Sequence, residues 1–266
     1  MPKASEPEGT EAAAAAGGAS GAEPPLPASL EAAWGRRARP TKGPKPALSL
    51  ERIVDAAVAL AQAEGIGAVS MARVAGELGS SPMSLYRYVA AKDELLALMV
   101  DAALGPVPPP AENEDWRAGL TRWAWGYHDA LRQHPWALQV PISGPAVTPN
   151  LTAWLEDGLQ SLAPTGLPEA QKLSVMLLLS GYVRNEATLA ATIGATEGGE
   201  IMPTWGRQLA RLTDPQDFPA LHRALGSEAF AQDDAPDEEF VFGLERVLDG
   251  IGSLVSGKDA PRRCER

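Results

Sequence analysis

Apolar residues recur at helical spacing along most of the chain. In residues 49–63 they fall three and four positions apart, with Ser49 as a candidate N-cap, and Gly65 ends the segment. A second short helix is predicted over residues 70–78 and a third over 82–89, where Pro82 suits the first helical position. A fourth is predicted over 93–104, before a Gly-Pro pair.

The second and third helices are short and are joined by a few residues that include Gly79. This arrangement describes a helix-turn-helix. Helices of this length are not stable alone, so they must share a small core, for which we expect the side chains of Leu60, Val74, Leu78 and Leu85.

The rest of the chain also shows helical periods and contains no convincing strand signal. A fifth helix begins near Trp116 and ends at His134-Pro135, and further helices are predicted over residues 149–163, 168–193, 204–212, 217–225 and 237–256. The run from Val175 to Leu179 is apolar on all sides and should cross the middle of its domain. The predicted fold is all-α: a three-helix helix-turn-helix domain, joined by the fourth helix to a larger helical bundle.

Charge is unevenly distributed along the chain. The net charge is −11, yet residues 34–92 carry nine Lys and Arg against four Asp and Glu. This block would attract an anionic polymer and the remainder would repel it, so DNA is expected to bind here.

Other sequence features exclude several classes of protein. The single cysteine, Cys264, allows no internal disulfide, and no apolar run is long enough to span a membrane, so we expect a cytoplasmic protein without a membrane partner. The three histidines, His128, His134 and His222, have no metal-ligand spacing. We therefore expect no metal, no cofactor and no catalysis.

Four parts are expected along the chain. Residues 1–46 are a tail, rich in Ala, Gly, Glu and Pro up to residue 33 and predicted to be disordered there, followed by a cationic arm that either lies on DNA or is a linker. Residues 47–92 form the helix-turn-helix domain and 93–257 the larger domain, before a flexible tail over 258–266.

The stretch from Ile53 to Leu98 resembles the TetR family of bacterial regulators. The residues that carry the resemblance are the Gly65 turn, Val74-Ala75 before Leu78-Gly79, the segment 84–89 (Ser-Leu-Tyr-Arg-Tyr-Val) and the segment 92–96 (Lys-Asp-Glu-Leu-Leu). The larger domain resembles the family's ligand-binding domains more weakly, through His134-Pro135-Trp136, the helix over residues 177–183 and residues 242–246. The resemblance implies a homodimeric DNA-binding regulator.

The resemblance also implies roles for individual residues at the DNA. The positions expected at base edges are Pro82, Met83, Tyr86 and Arg87, and those expected at phosphates are Ser70, Ser84, Tyr88 and Lys92. Compact side chains such as Ser81 at the start of the third helix allow close approach to the bases. Met83 could instead cover the small core. Ala91 stands where the family usually has a capping Ser, Asn or Asp, so the fourth helix loses a cap.

Six of the seven tryptophans lie in the C-terminal part, and large aromatic walls suit an apolar ligand cavity. The candidates for its lining are Trp123, Tyr127, Trp154, Met176 and Tyr182, with Asn185 or Glu186 as a polar contact. For any single one of these residues, packing in the core is the alternative interpretation.

The last predicted helix carries an apolar stripe that suits a dimer interface, as the family commonly has there. Its members are Phe240, Leu244, Val247, Leu248 and Ile251. The alternative is that the stripe packs on its own domain.

The function expected from these features is repression. A homodimer would bind a palindromic operator on double-stranded DNA, and a small apolar or amphipathic ligand would release it. The alternative is a DNA-binding module that is regulated by a protein partner and has no small-molecule inducer.

Overall fold

A computed structural model describes residues 26–36, 48–141, 147–194, 201–231 and 237–257. Over these residues it is all-helical, with no strand. Its helices are α1 (Ala28–Ala33), α2 (Leu50–Glu64), α3 (Met71–Glu77), α4 (Pro82–Tyr86), α5 (Lys92–Leu104), α6 (Trp116–Gln133), α7 (Pro149–Ser161), α8 (Glu169–Gly194), α9 (Ile201–Leu212), α10 (Pro219–Leu225) and α11 (Glu238–Val255). The helix bounds predicted between residues 49 and 256 are confirmed to within three residues.

Helices α2, α3 and α4 pack with the start of α5 into a small N-terminal unit, the head. α2 packs against α3 and along α5, and α3 packs against α4. Its core buries Ile53, Val74, Leu85, Val89 and Leu95 completely. Of the predicted core members, Leu78 is only half-buried. The head is held together by this shared core and not by the stability of its separate helices.

The larger domain is a bundle in which α6 and α8 are central. α6 packs against α7 and α8, and α11 lies against both α6 and α8. The satellite helices α9 and α10 pack mainly on each other and on the short turn Glu228–Phe230. Among the described helices, none combines the length and apolar character needed to cross a lipid bilayer.

The expectation for residues 175–179 was wrong in part. Val175, Met176 and Leu179 are buried, but Leu177 is 75 % exposed and Leu178 is 56 % exposed. The run is apolar in sequence, but α8 buries only one side of it against its neighbouring helices.

The tail also differs from the sequence-based expectation. Residues 28–33, predicted to be disordered, form α1, in which Ser29 and Leu30 are buried. The order comes from contacts that are distant in sequence, because Ser29 bonds to Glu94 and Trp34 to Val147. Residues 1–25, most of the cationic arm (37–47) and the tail 258–266 lie outside the described residues.

A partly buried ionic cluster fixes the proline-rich connection between α5 and α6. Arg122 donates to Pro108 O at 2.7 Å and forms ion pairs with Glu114 at 3.1 Å and Asp157 at 3.0 Å. Burial alone would lower the pKa of Arg122, but its bonds to the two carboxylates outweigh burial and raise the pKa. The guanidinium therefore stays charged and ties α6, α7 and the connection together.

Candidate nucleic-acid interface and ligand pocket

The turn between α3 and α4 has a well-defined geometry. Gly79 has a φ of +59°, its N–H bonds to Gly76 O at 3.0 Å, and Ser80 N–H bonds to Ala75 O at 2.8 Å. These two bonds make a Schellman motif, which closes a helix and redirects the chain. At its other end α3 is capped by Ser70, whose Oγ accepts from Arg73 N–H at 3.2 Å. The motif sets the angle at which α4 leaves α3.

α4 divides into an inner and an outer face. Leu85 is completely buried, whereas Pro82, Met83, Tyr86 and Arg87 are exposed. Met83 is 74 % exposed, so it does not cover the core, and Tyr86 is 45 % exposed. The four positions that the sequence assigned to base edges therefore share one accessible surface.

The residues assigned to phosphates are placed less uniformly. Lys92 is exposed at the start of α5, and Ser84 Oγ lies 3.0 Å from the Oγ of Ser81. Tyr88 is half-buried, and its hydroxyl donates to Leu48 O at 2.9 Å. That bond anchors the chain just before α2, so the structure gives the Tyr88 hydroxyl a structural partner.

Arg73 was not among the candidates for DNA contact that the sequence analysis named. It lies in α3 with its side chain half exposed, and its guanidinium pairs with Glu64 at 2.7 Å. A basic residue in the first turn of α3 is the signal that would have nominated it.

An aromatic pocket lies between α6, α7 and α8. It encloses about 260 Å³, and its lining residues are Trp123, Tyr127, Leu151, Trp154, Leu155, Leu173, Met176, Leu177 and Ser180. The floor is a cluster of three rings, in which Trp123 lies 5.1 Å from Tyr127 and 5.7 Å from Trp154 between centroids. The structure thus brings together four of the predicted lining residues: Trp123, Tyr127, Trp154 and Met176.

Both indole N–H groups of the pocket already donate hydrogen bonds within the protein. Trp123 Nε1 donates to Trp154 O at 2.7 Å, and Trp154 Nε1 donates to Gly105 O at 3.0 Å. None of the described residues that line the pocket is charged. The lining also holds the hydroxyls of Tyr127 and Ser180, of which that of Ser180 already donates to Leu177 O at 3.1 Å. The site therefore offers apolar area and aromatic faces, with few hydrogen bonds.

The other predicted pocket residues lie elsewhere. Tyr182 packs against α11, where its hydroxyl donates to Phe240 O at 2.8 Å. Burial, and then the charge of Glu186, raise the pKa of Tyr182 to about 12. Asn185 is exposed and Glu186 is half-buried, and neither lines the pocket.

A more open depression of about 310 Å³ lies where the start of α6 meets the end of α11. Its lining includes Arg117 and Asp249, which form an ion pair at 2.8 Å. Hydrogen bonds from Arg246 and Arg117 lower the pKa of Asp249. This depression is polar and shallow, so the aromatic pocket is the better candidate for an apolar ligand.

Hydrogen bonds join the wall of the pocket to α5, the helix that begins at Lys92. Asp101 of α5 is 7 % exposed, and its carboxylate accepts from Leu151 N–H at 2.9 Å, while its carbonyl accepts from Asn150 Nδ2 at 3.0 Å. The bond from Trp154 to Gly105 O meets the end of the same helix. Leu151 and Trp154 line the pocket, so α7 contacts both the cavity and α5.

A second junction joins the end of α2 to the end of α6. Gln62 donates to Gln133 O at 3.2 Å, and its Oε1 lies 3.1 Å from both Trp136 Nε1 and His134 Nδ1. Burial lowers the pKa of His134, which favours the neutral ring at this contact. No sequence signal pointed to Gln62, because its partners lie more than 70 residues away.

The predicted dimer stripe faces inward, which corrects that assignment. Phe240, Leu244, Leu248 and Ile251 are 2–3 % exposed and pack in the core of their own domain, and Val247 is half-buried. The period of α11 was read correctly, but the stripe is used by the bundle itself. The outer face of α11 instead exposes Phe242 at 60 %, and the neighbouring helix α8 exposes Leu178 and Leu189.

Comparison with known proteins agrees with this geometry. Residues 53–99 match the family described as bacterial regulatory proteins, tetR family, and residues 109–255 match the tetracyclin repressor-like C-terminal domain. The chain is 38 % identical over 249 residues to the HTH-type transcriptional repressor DrrR1 of Streptomyces coeruleorubidus, covering 87 % of this chain and 88 % of that one.

Solved structures show the same fold. Apo ActR from Streptomyces coelicolor superposes with a TM-score of 0.70 at 26 % identity, covering 81 % of this chain and 100 % of that one. ActR in complex with actinorhodin gives a TM-score of 0.68 at 27 % identity, covering 78 % and 98 %.

Proposed function

The chain belongs to the TetR family of bacterial regulatory proteins, and on this premise we propose that it represses transcription as a homodimer on operator DNA until a small molecule fills the aromatic pocket. It is a helix-turn-helix transcriptional regulator, and its relatives are named as regulators and not as enzymes. We assign DNA binding to residues 47–92 and ligand binding and dimerisation to 93–257.

The observation that carries the DNA-binding proposal is the outer face of α4. Pro82, Met83 and Tyr86 project from one side of α4, Arg87 is exposed at its C-cap, and the other side of the helix is fixed in the core. A helix that enters the major groove needs this division, because its accessible side chains must reach base edges while its backbone is held in place. Ser70, Ser84 and Lys92 flank this face and are proposed to bind phosphates.

The pocket chemistry supports a proposal on the class of ligand. Three aromatic rings, several leucines and no charged residue among the described lining favour a neutral, flat and largely apolar molecule. The solved relative ActR forms complexes with actinorhodin and with (S)-DNPA. We propose that this chain takes a ligand of comparable aromatic character.

We propose that α7 transmits ligand binding from the pocket to α5 and so causes release of DNA. A ligand that displaces Leu151 or Trp154 pulls on Asp101 and Gly105, and hence on α5, which presents Lys92. Differential binding of the ligand to two arrangements of α5 would shift their populations by about 1–3 kcal/mol. DNA affinity then falls because the two heads no longer match successive grooves.

The second copy is proposed to bind on the outer faces of α8 and α11. Leu178, Leu189 and Phe242 are about half exposed or more on two adjacent helices, and pairing these faces gives a four-helix bundle. Twofold symmetry of such a dimer would put the two α4 helices on half-sites separated by about 34 Å, one turn of DNA.

Selection of bound DNA from a random library tests the proposal directly. We expect a palindromic site, and titration of salt should give a steep loss of affinity. Lys92→Ala should reduce the slope of log affinity against log salt by about one unit, since one phosphate contact is lost. Arg211→Ala, which removes a charge from α9, is the matched control and should keep the slope. Equal slopes for both variants would refute the role of Lys92.

The ligand proposal is tested with actinorhodin as a probe. Binding in the pocket should quench the emission of Trp123 and Trp154 and should release labelled DNA over the same concentration range. Release of DNA that requires a second protein, with no response to aromatic compounds, would replace the small-molecule proposal with regulation by a protein partner.

A further inference from the structure

α5 begins without the side chain that usually caps a helix. Its N-cap position is Ala91, which makes no side-chain cap. The first amide groups of a helix have no partner within the helix, and a cap at this position contributes to holding the first turn. Lys92 stands in this turn, so its position depends on how the turn is held.

Glu94, in the first turn of α5, reaches back over the start of the helix. Its Oε2 accepts from Ala90 N–H at 3.1 Å, one residue before the N-cap, so it ties the chain entering α5 to the first turn, as the acid of a capping box does one residue later. The negative charge also suits the positive end of the helix dipole.

The carboxylate is held in place by the N-terminal helix. Ser29 of α1 donates to the same Oε2 of Glu94 at 2.6 Å, and Ser29 is only 2 % exposed. Leu30, beside it, is also buried, and α1 packs against α2. A residue 65 positions away thus orients the carboxylate that ties the entering chain to the first turn of α5.

The same short segment contacts the larger domain. Trp34 Nε1 donates to Val147 O at 2.8 Å, two residues before the start of α7, the helix that lines the pocket. Residues 28–34 therefore contact the head at one end and the ligand-binding domain at the other.

We propose that residues 28–34 form an interdomain strap in which Ser29 is a positioning residue for DNA binding: it holds Glu94 over the start of α5 and so fixes Lys92. The strap rests on the proposed function, since it acts through a head that binds DNA. It carries no cation of its own, and Glu31 is its only charged residue. Its effect on DNA affinity is therefore distinct from that of the cationic arm that follows.

Two truncations separate the strap from the arm. Removal of residues 1–25 keeps the strap, whereas removal of 1–34 deletes it, and both keep the five cations Arg36, Arg37, Arg39, Lys42 and Lys45. On the DNA site selected by the full chain, the first truncation should bind as the full chain does. The second should bind up to about fivefold more weakly, the factor that a helix cap is worth, with the same salt slope. Equal binding by both truncations would overturn the proposal, and so would a loss that appears only as a smaller slope.

A double-mutant cycle tests the route through Glu94. Ser29→Ala should weaken DNA binding in the wild-type chain and should have no further effect in a Glu94→Ala background, because its target is gone. If Ser29 only packs against the head, its substitution costs the same in both backgrounds, and the positioning role is excluded.

Amide exchange distinguishes failure of the strap from failure of the proposed function. Without DNA, Ser29→Ala should speed exchange across residues 88–96 and leave the rest of α5 unchanged. If the protein binds no DNA but Ser29→Ala speeds this exchange, the strap is supported and the proposed function is refuted. If the protein binds DNA and Ser29→Ala leaves the exchange unchanged, only the strap is refuted.

Discussion

Met83 shows how one side chain can report sequence preference separately from affinity. It is 74 % exposed on the outer face of α4, among the four residues proposed to meet the bases. Met83→Ala should weaken the preference at one position of the selected site by about 1 kcal/mol, as for loss of an apolar contact with a thymine methyl. The salt slope should stay the same, because no charge is removed. A library selection that returns the same site for both proteins would contradict this.

His128 should make stability depend on pH. The ring is 2 % exposed, stacks on Phe240 at 4.1 Å between centroids, and has a buried Nδ1 with no hydrogen-bond partner among the described residues. Burial, and then the charge of Arg132, lower its pKa in the folded state. The unfolded chain therefore binds the proton more readily.

This contribution of His128 is complete above the unfolded pKa of about 6.5 and is lost as the pH falls toward the lower folded pKa. The free energy of unfolding, measured with urea between pH 7.5 and 5, should fall less steeply in His128→Gln. At pH 7.5 that variant should be about 1–2 kcal/mol less stable, since a buried contact is lost. An unchanged slope would refute the assignment.

At the scale of the helix, two glycines of α11 allow its packing to be tested by a pair of matched substitutions. A Cβ on Gly243 would lie 2.7 Å from the ring of Tyr182, which is held by its bond to Phe240 O, whereas a Cβ on Gly252 would meet Trp116 at an ordinary 3.7 Å. Gly243→Ala should lower the free energy of unfolding by about 1–3 kcal/mol through overpacking. Gly252→Ala should raise it by up to about 1 kcal/mol, as alanine favours helix. Thermal unfolding at one fixed concentration compares them, and a stabilised Gly243→Ala would show that α8 and α11 are loosely packed.

The helices that sequence predicted well are those whose signals are local. Ser49 and Ser70 cap α2 and α3 as their positions suggest, because a cap bonds only three residues ahead. α1 was missed for the opposite reason: six residues carry too little period, and the order of Ser29 depends on Glu94.

The candidate sites divide in the same way. The resemblance to the TetR family indicated the outer residues of α4, and aromatic composition indicated Trp123 and Trp154. Neither could show that Asn185 faces solvent, since that depends on how α8 is rotated against α6 and α11. The stripe of Phe240 and Leu244 was detected by its period, but a period does not reveal which surface covers it.

At the scale of the molecule, the interface between two copies is the next prediction. Phe242→Glu places a charge on the proposed α8 and α11 face and should convert dimers to monomers, measured by sedimentation. Affinity for a two-half-site DNA should fall by roughly 100-fold, because each head then binds alone. Leu212→Glu, on the 83 % exposed Leu212 of α9, is the control. If Leu212→Glu yields monomers and Phe242→Glu does not, the interface lies on the satellite helices α9 and α10 and not on α8 and α11.

The two tryptophans of the pocket donate their N–H groups to backbone carbonyls, which leaves little with which to distinguish one guest from another. Discrimination by apolar fit is weak, about 1–3 kcal/mol for each methylene, whereas unmatched hydrogen bonds reject far more strongly. We therefore expect a broad response, in which successive compounds of one biosynthetic series, differing in a methyl or a hydroxyl at the rim, all act as inducers. A cell that uses such a sensor would detect the accumulation of a chemical class and not the arrival of a single end product.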